Sequence, residues 1–200
     1  MDIESIRGEF EKVYSRPAAG AAQAPGRVKL IGEHTDYNDG FVLPIAIERR
    51  TLALYAPRDD GEVNFTSTQA QARDTISLYE PIDRTTGQTS WANYCRGVAA
   101  GLLQAGIELR GADILFASDV PLGGGLSSSA SLEVAAAGAL LAAAGKLGAL
   151  SDAELARICQ QAEHEYAGAP CGIMDQSIAC LLYTSPSPRD LSTSRMPSSA

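Results

Sequence analysis

No run of basic residues occurs in this 200-residue chain, whose formal net charge is −8. An acidic chain without a basic patch excludes a nucleic-acid interface and a polybasic membrane surface, and an anionic ligand would need local cations or a metal. No apolar stretch reaches the roughly 20 residues that cross a bilayer. The longest, residues 135–144, is rich in alanine and reads as a buried helix. No CxxC pair joins Cys95, Cys159, Cys171 and Cys180, and no secretory leader precedes them. Reduced thiols in a cytoplasmic protein, without structural zinc, are the expectation. The Gly-Lys-Ser/Thr of a nucleotide P-loop is missing, and no internal repeat appears. What is present, 45% apolar and 20% charged residues, is globular in kind. The length suits one domain, or one domain and part of another.

Apolar spacing at Ile3, Ile6, Phe10 and Val13 predicts an amphipathic helix over residues 2–14. A Pro, Ala and Gly linker (17–25) then leads to a short strand at Val28, Leu30 and Ile31. Residues 41–47 and 51–56 read as two further strands, with Arg58 to Gly61 as a hairpin turn and 63–67 pairing back. Helices are expected over 91–105, 131–144 and 151–167, the last opened by a Ser151 and Glu154 capping box, with a strand at 112–117. The sum is an α+β fold, a mixed β-sheet covered by helices. Near Leu181 the composition turns to Ser, Thr, Pro and Arg without apolar period, so disorder is expected over 181–200.

Three segments carry chemistry. Residues 26–44 pack Arg27, Glu33, His34, Asp36, Asn38 and Asp39 among apolar residues and glycine, a mixture of donors and acceptors that suits a small polyhydroxylated molecule. A charged loop is more often simply solvated; the density of unlike polar types argues against that here. Residues 120–131, VPLGGGLSSSAS, lie between a strand and a helix. Gly123, Gly124 and Gly125 allow close backbone approach, and the free amides of the following helix suit phosphate. Ser127, Ser128 and Ser129 add hydroxyls for phosphate oxygens or a metal. A flexible connector is the plain alternative. Residues 160–176, QQAEHEYAGAPCGIMDQ, place Glu163 on a helix and Asp175 after a turn, and metal-dependent phosphoryl transfer needs carboxylates for both metal and proton. Alone, Glu163, His164 and Glu165 read as a solvated helix face.

Together GRVKLIGEHTDYNDG, PLGGGLSSSAS and AEHEYAGAPCGIMDQ resemble the signatures of the galactokinases, the sugar-phosphorylating branch of the GHMP small-molecule kinases. One departure is Lys29, where the family usually carries asparagine. The resemblance implies the N-terminal domain of that family, ribosomal protein S5 domain 2-like, over 1–180. The family's second domain has no counterpart, and the 181–200 tail is expected to be an artefact of adapter translation.

The resemblance also implies ATP-dependent phosphorylation of the anomeric hydroxyl of α-D-galactose by a monomer, with ATP as co-substrate and Mg²⁺ as cofactor. It makes Asp175 the catalytic base with Arg27 beside it to stabilise developing negative charge. It gives galactose to Glu33, His34, Asp36, Asp175 and the backbone of Gly172. The nucleotide falls to Trp91, Tyr94, Gly123, Gly124, Gly125, Leu126, Ser127, Ser128 and Ser129, and the metal to Ser128, Ser129 and Glu163. For Trp91 and Tyr94, core packing is an equal alternative. The other readings are a kinase for N-acetylgalactosamine or another hexose, and a non-catalytic galactose sensor.

Overall fold

The computed structural model describes residues 1–32, 42–70 and 72–181. Helix α1 (Ile3–Tyr14) is followed by β1 (Gly20–Ile31), β2 (Leu43–Arg58), β3 (Glu62–Ser67) and β4 (Arg73–Ser77). A 3₁₀ turn (Gly87–Ala92) leads into α2 (Asn93–Gln104), then β5 (Gly111–Ser118), α3 (Ser128–Ala143) and α4 (Asp152–Ala162). A π-helical turn (Glu163–Ala167) extends α4, and α5 (Met174–Leu181) closes the described chain. The expected tail from 182 onward lies outside the described residues.

The five strands form one mixed sheet in the order β1-β2-β5-β3-β4, antiparallel except for the parallel β5 and β3. Alternation along the strands decides which side chain faces which layer. Ala53, Ile114 and Phe116 point into the larger core beneath α2, α3 and α4. Their neighbours Leu52, Leu54, Leu115 and Ala117 point the other way, under Ile6 and Phe10 of α1.

The structure corrects four local readings. The Pro, Ala and Gly linker is mostly strand, because β1 begins at Gly20. Its small residues serve close packing: Ala22 and Ala24 are fully buried in the core that α3 shares. Pro25 is tolerated because β1 is an edge strand whose register shifts between Pro25 and Arg27. The two strands expected over 41–56 are one, β2. The Arg58 to Gly61 turn makes no hairpin, since β5 inserts between β2 and β3 and pairs with both. Strand β4 escaped the sequence reading because it is short and polar; it is held from outside by Arg96, whose guanidinium donates to both carboxylate oxygens of Asp74 at 2.7 and 2.9 Å.

Helix α3 starts at Ser128, three residues earlier than its apolar period suggests, and its alanines let it lie close on the sheet. Ser131 pins it there. Its buried hydroxyl donates to the Ala24 carbonyl (2.7 Å) and accepts from the Thr51 amide (3.1 Å), tying α3 to β1 and β2. Ser151 and Glu154 form the expected capping box on α4.

Candidate active site

Three segments distant in sequence converge where α3 begins. Strand β1 carries Arg27 into this region, and its backbone amide donates to the Leu126 carbonyl at 3.1 Å. The Arg27 guanidinium donates to the Gly125 carbonyl at 2.6 Å, so the glycine-rich loop is strapped to β1 from both backbone and side chain. Gly26 permits the approach, because a Cβ there would sit 2.8 Å from the Leu126 carbonyl oxygen. Gly123 and Gly125 take positive φ values of 69° and 66°, as the loop's turns require.

Asp175 completes the junction from the first turn of α5, which follows the expected turn. Arg27 Nε donates to Asp175 Oδ1 at 2.8 Å and Arg27 Nη2 to Oδ2 at 2.5 Å, a two-point ion pair with the arginine side chain 8% exposed and the aspartate 20%. Ser127 Oγ also donates to Oδ2. A carboxylate offers about four acceptor positions. Three are taken among the described residues, which leaves one for a hydroxyl. Ser127 caps α3 in the left-handed region, φ 58°, its side chain turned to Asp175 instead of to the helix amides. Those amides and the positive end of the helix are left for an anion. The hydroxyls of half-buried Ser128 and Ser129 make no hydrogen bond among the described residues. An open cleft of about 510 Å³ runs beside this junction, lined by Arg27, Lys29, Ile31, Gly124 and Leu126.

A second cluster adjoins the first through α5. Gln176, the residue after Asp175, is fully buried and donates from Nε2 to Glu163 Oε2 (2.6 Å) and Glu133 Oε2 (3.1 Å). Cys171 Sγ donates to the same Glu163 oxygen at 3.4 Å. Burial pushes the Glu133 carboxyl well above the usual carboxylate range, and the charge on Glu163 adds to it. Burial, then Glu163, push the Cys171 thiol up to about 12, so it is not a nucleophile at neutral pH. Among the described residues Glu133 Oε1 and Gln176 Oε1 are buried without a donor, each a deficit of about 1–3 kcal/mol.

No group of three or more His, Cys, Asp or Glu is arranged to hold a metal ion among the described residues. The free donors are nevertheless oxygens, from Glu163, Ser128 and Ser129, and the neighbouring acceptors lack positive charge, which fits a hard cation such as Mg²⁺ that also takes ligands from phosphate and water.

Glu33, His34 and Asp36 lie outside the described residues. Gly172 is buried just ahead of α5. Trp91 packs edge-on against Phe116, ring centroids 6.1 Å apart, with its buried Nε1 unpartnered among the described residues. The phenol of half-buried Tyr94 is pushed up by burial first and then by the charges of Glu163 and Glu133. Glu165 and His164 are exposed, as their plain reading has it. The sequence reading missed Glu133 and Gln176. The signal for Glu133 was there, a single carboxylate inside an alanine-rich apolar helix.

Residues 8–57 match the galactokinase galactose-binding signature, and residues 93–182 match the GHMP kinases N terminal domain. A galactokinase of Chloroflexus aggregans is 49% identical over 90% of this chain. Over these residues the chain matches the N-terminal part of the galactokinases, a GHMP kinase N-terminal domain. A galactokinase of Chloroflexus aurantiacus is 46% identical over 90% of this chain. The chain spans 45% of the length of each of these relatives. Among solved structures, Lactococcus lactis galactokinase complexed with galactose superposes with a TM-score of 0.79 at 31% identity, over 92% of this chain and 51% of that one. Methanococcus jannaschii mevalonate kinase, at 24% identity and a TM-score of 0.68 over 83% of this chain and 52% of that one, shares the fold. The two matched regions join at the contacts of Arg27 with Asp175, Gly125 and Leu126.

Proposed function

We propose that this chain serves an ATP-dependent galactokinase, which transfers the γ-phosphoryl group to the anomeric hydroxyl of α-D-galactose. The observation that carries the reading is the Arg27, Asp175 and Ser127 junction, which brings a carboxylate and a guanidinium to the amino end of α3. Phosphoryl transfer asks little covalent chemistry of a protein; it needs positioning and charge stabilisation.

In this reading Asp175 uses its remaining acceptor position to orient the sugar hydroxyl and take its proton, a contribution of about 10²–10⁴-fold. Arg27 faces the negative charge that develops as the phosphoryl group moves. The glycine-rich loop and the first amides of α3 hold phosphate oxygens, with Trp91 and Tyr94 assigned to the adenine side. Glu163, Ser128 and Ser129 would hold Mg²⁺, which neutralises phosphate charge when bound. Glu33, His34 and Asp36 are assigned to the sugar hydroxyls. An epimer that displaces one hydroxyl leaves a buried polar group unpaired, a discrimination of roughly 1–3 kcal/mol per group. The reading also places the protein, as a monomer, in the cytoplasm, consistent with cysteines that are all free.

The test is to supply ATP and Mg²⁺ with galactose or N-acetylgalactosamine and to follow sugar 1-phosphate by phosphorus NMR, with sugar binding measured alongside by calorimetry. Galactose is expected to bind and to be phosphorylated in preference. Failure of galactose in both assays would overturn the reading.

A further inference from the structure

The two hydrogens of the Gln176 amide are spent on two different carboxyl groups, Glu163 at 2.6 Å and Glu133 at 3.1 Å. The three residues come from three pieces of the fold: the π-helical turn, α3 and the first turn of α5. Glu133 and Gln176 have no exposure and Glu163 only 7%. Acceptors exceed donors in this cluster. Among the described residues, Glu133 Oε1 and Gln176 Oε1 have no donor at all. A purely architectural polar cluster satisfies its buried acceptors; here no side chain among the described residues donates to these two. Glu163 also sits where α winding passes into π winding, a local geometry that redirects side chains and recurs at functional sites.

We propose that Gln176 is the positioning residue for Glu163, holding its carboxylate through Glu133 in the orientation that receives a divalent cation. The proposal rests on the reading of Glu163 as a cation ligand. A glutamate side chain has three torsions to fix, and an amide that grips one oxygen leaves the other for a cation. Glu163 Oε1 has no hydrogen-bond partner among the described residues, while Oε2 is gripped by Gln176 and Cys171. Because Asp175 and Gln176 are consecutive on α5, the same helical turn sets both the carboxylate facing Arg27 and the carboxylate assigned to the cation.

The test uses the full chain with Mn²⁺ as probe, bound together with a non-hydrolysable ATP analogue and followed by electron paramagnetic resonance. Gln176→Met keeps the bulk and removes both donors. Loss of such an outer partner is expected to weaken Mn²⁺ binding by about 10- to 100-fold. A second readout needs no metal. Cys171 Sγ lies 3.4 Å from Glu163 Oε2, and Cys95, Cys159 and Cys180 are buried. With Glu163 released, alkylation of Cys171 by iodoacetamide should quicken by about tenfold, while the three buried thiols stay protected.

In a Glu163→Gln background, Gln176→Met should add less than about threefold to either effect, because the partner is already altered. Unchanged Mn²⁺ affinity together with an unchanged Cys171 rate in Gln176→Met overturns the proposal. If the parent chain and Glu163→Gln bind Mn²⁺ equally, the cation reading is what fails; because Gln176 Nε2 also lies 3.7 Å from Cys171 Sγ, whether Gln176→Met changes the Cys171 rate less in the Glu163→Gln background than in the parent then decides whether Gln176 holds Glu163. If Gln176→Met exposes all four thiols, Gln176→Asn, one methylene too short to span both carboxyls, is judged by the same two readouts.

Discussion

Arg27 and Asp175 lie 148 residues apart in the chain and meet as a two-point ion pair with donor to acceptor distances of 2.8 and 2.5 Å. Breaking one side leaves a largely buried guanidinium without its partner. Asp175→Asn should therefore cost about 3 kcal/mol of stability, the low end for buried pairs because the aspartate keeps some solvent contact. Urea unfolding measures it, and Arg27→Met combined with Asp175→Asn should recover part of the loss, since neither charge then stands alone. In a kinase assay of the whole protein, Asp175→Asn should lower turnover by about 10²–10⁴-fold while galactose still binds. Near-normal turnover would remove Asp175 from the chemistry.

Ser127 offers a test in which two effects oppose each other. Its hydroxyl donates to the Asp175 carboxylate, yet its backbone sits at φ 58°, where a side chain is strained. Ser127→Ala loses the bond and keeps the strain, so it should cost about 2 kcal/mol. Ser127→Gly loses the same bond but relieves the backbone, and should cost only about 1 kcal/mol. Equal losses in thermal unfolding would mean that the left-handed cap carries no strain worth relieving.

Motif residues were legible because their chemistry is local: glycines before a helix, serines at its start, a carboxylate after a turn. What joins them was not. Nothing in Gly20 to Ala24 announces a strand, since small residues read as linker until α3 is seen lying on them. The pairing of β5 between β2 and β3 is a long-range choice that a nearby turn signal misrepresents. Glu133 and Gln176 went unnoticed for the same reason. Gln176 is unremarkable among its sequence neighbours, Glu133 stands out only as a lone carboxylate in an apolar helix, and only the meeting of three helical elements makes them a cluster.

Gly26 marks the tightest approach in the candidate site. An alanine Cβ would lie 2.8 Å from the Leu126 carbonyl and 3.1 Å from Val120 Cγ1, and the first of these is backbone that cannot rotate aside. Gly26→Ala should destabilise by about 1–3 kcal/mol through overpacking. It should also separate β1 from the glycine-rich loop, so that the Arg27 amide, which donates to Leu126, exchanges with solvent faster. Hydrogen exchange read at Arg27 checks this, and an unchanged rate would show that the strap is not set by Gly26.

Glu133 should make stability depend on pH in a way its amide does not. Its carboxyl is raised above the ordinary value of 4.5 by burial first and by the charge on Glu163 second. The folded chain thus holds a proton that the unfolded chain gives up once the pH exceeds 4.5, so this group favours folding least as pH rises through the window above that value. Below it the two states are protonated alike and the group contributes no pH dependence. Glu133→Gln has nearly the same shape and cannot titrate. In the presence of EDTA, its midpoint of thermal unfolding should lie close to the parent's at pH 5 and above it at pH 8. The gap should narrow again when a divalent cation is added, because positive charge beside Glu163 removes part of what raises Glu133. Parallel curves for the two proteins from pH 5 to pH 8 would mean that Glu133 is ionised in the fold, and would leave two buried carboxylates facing one amide.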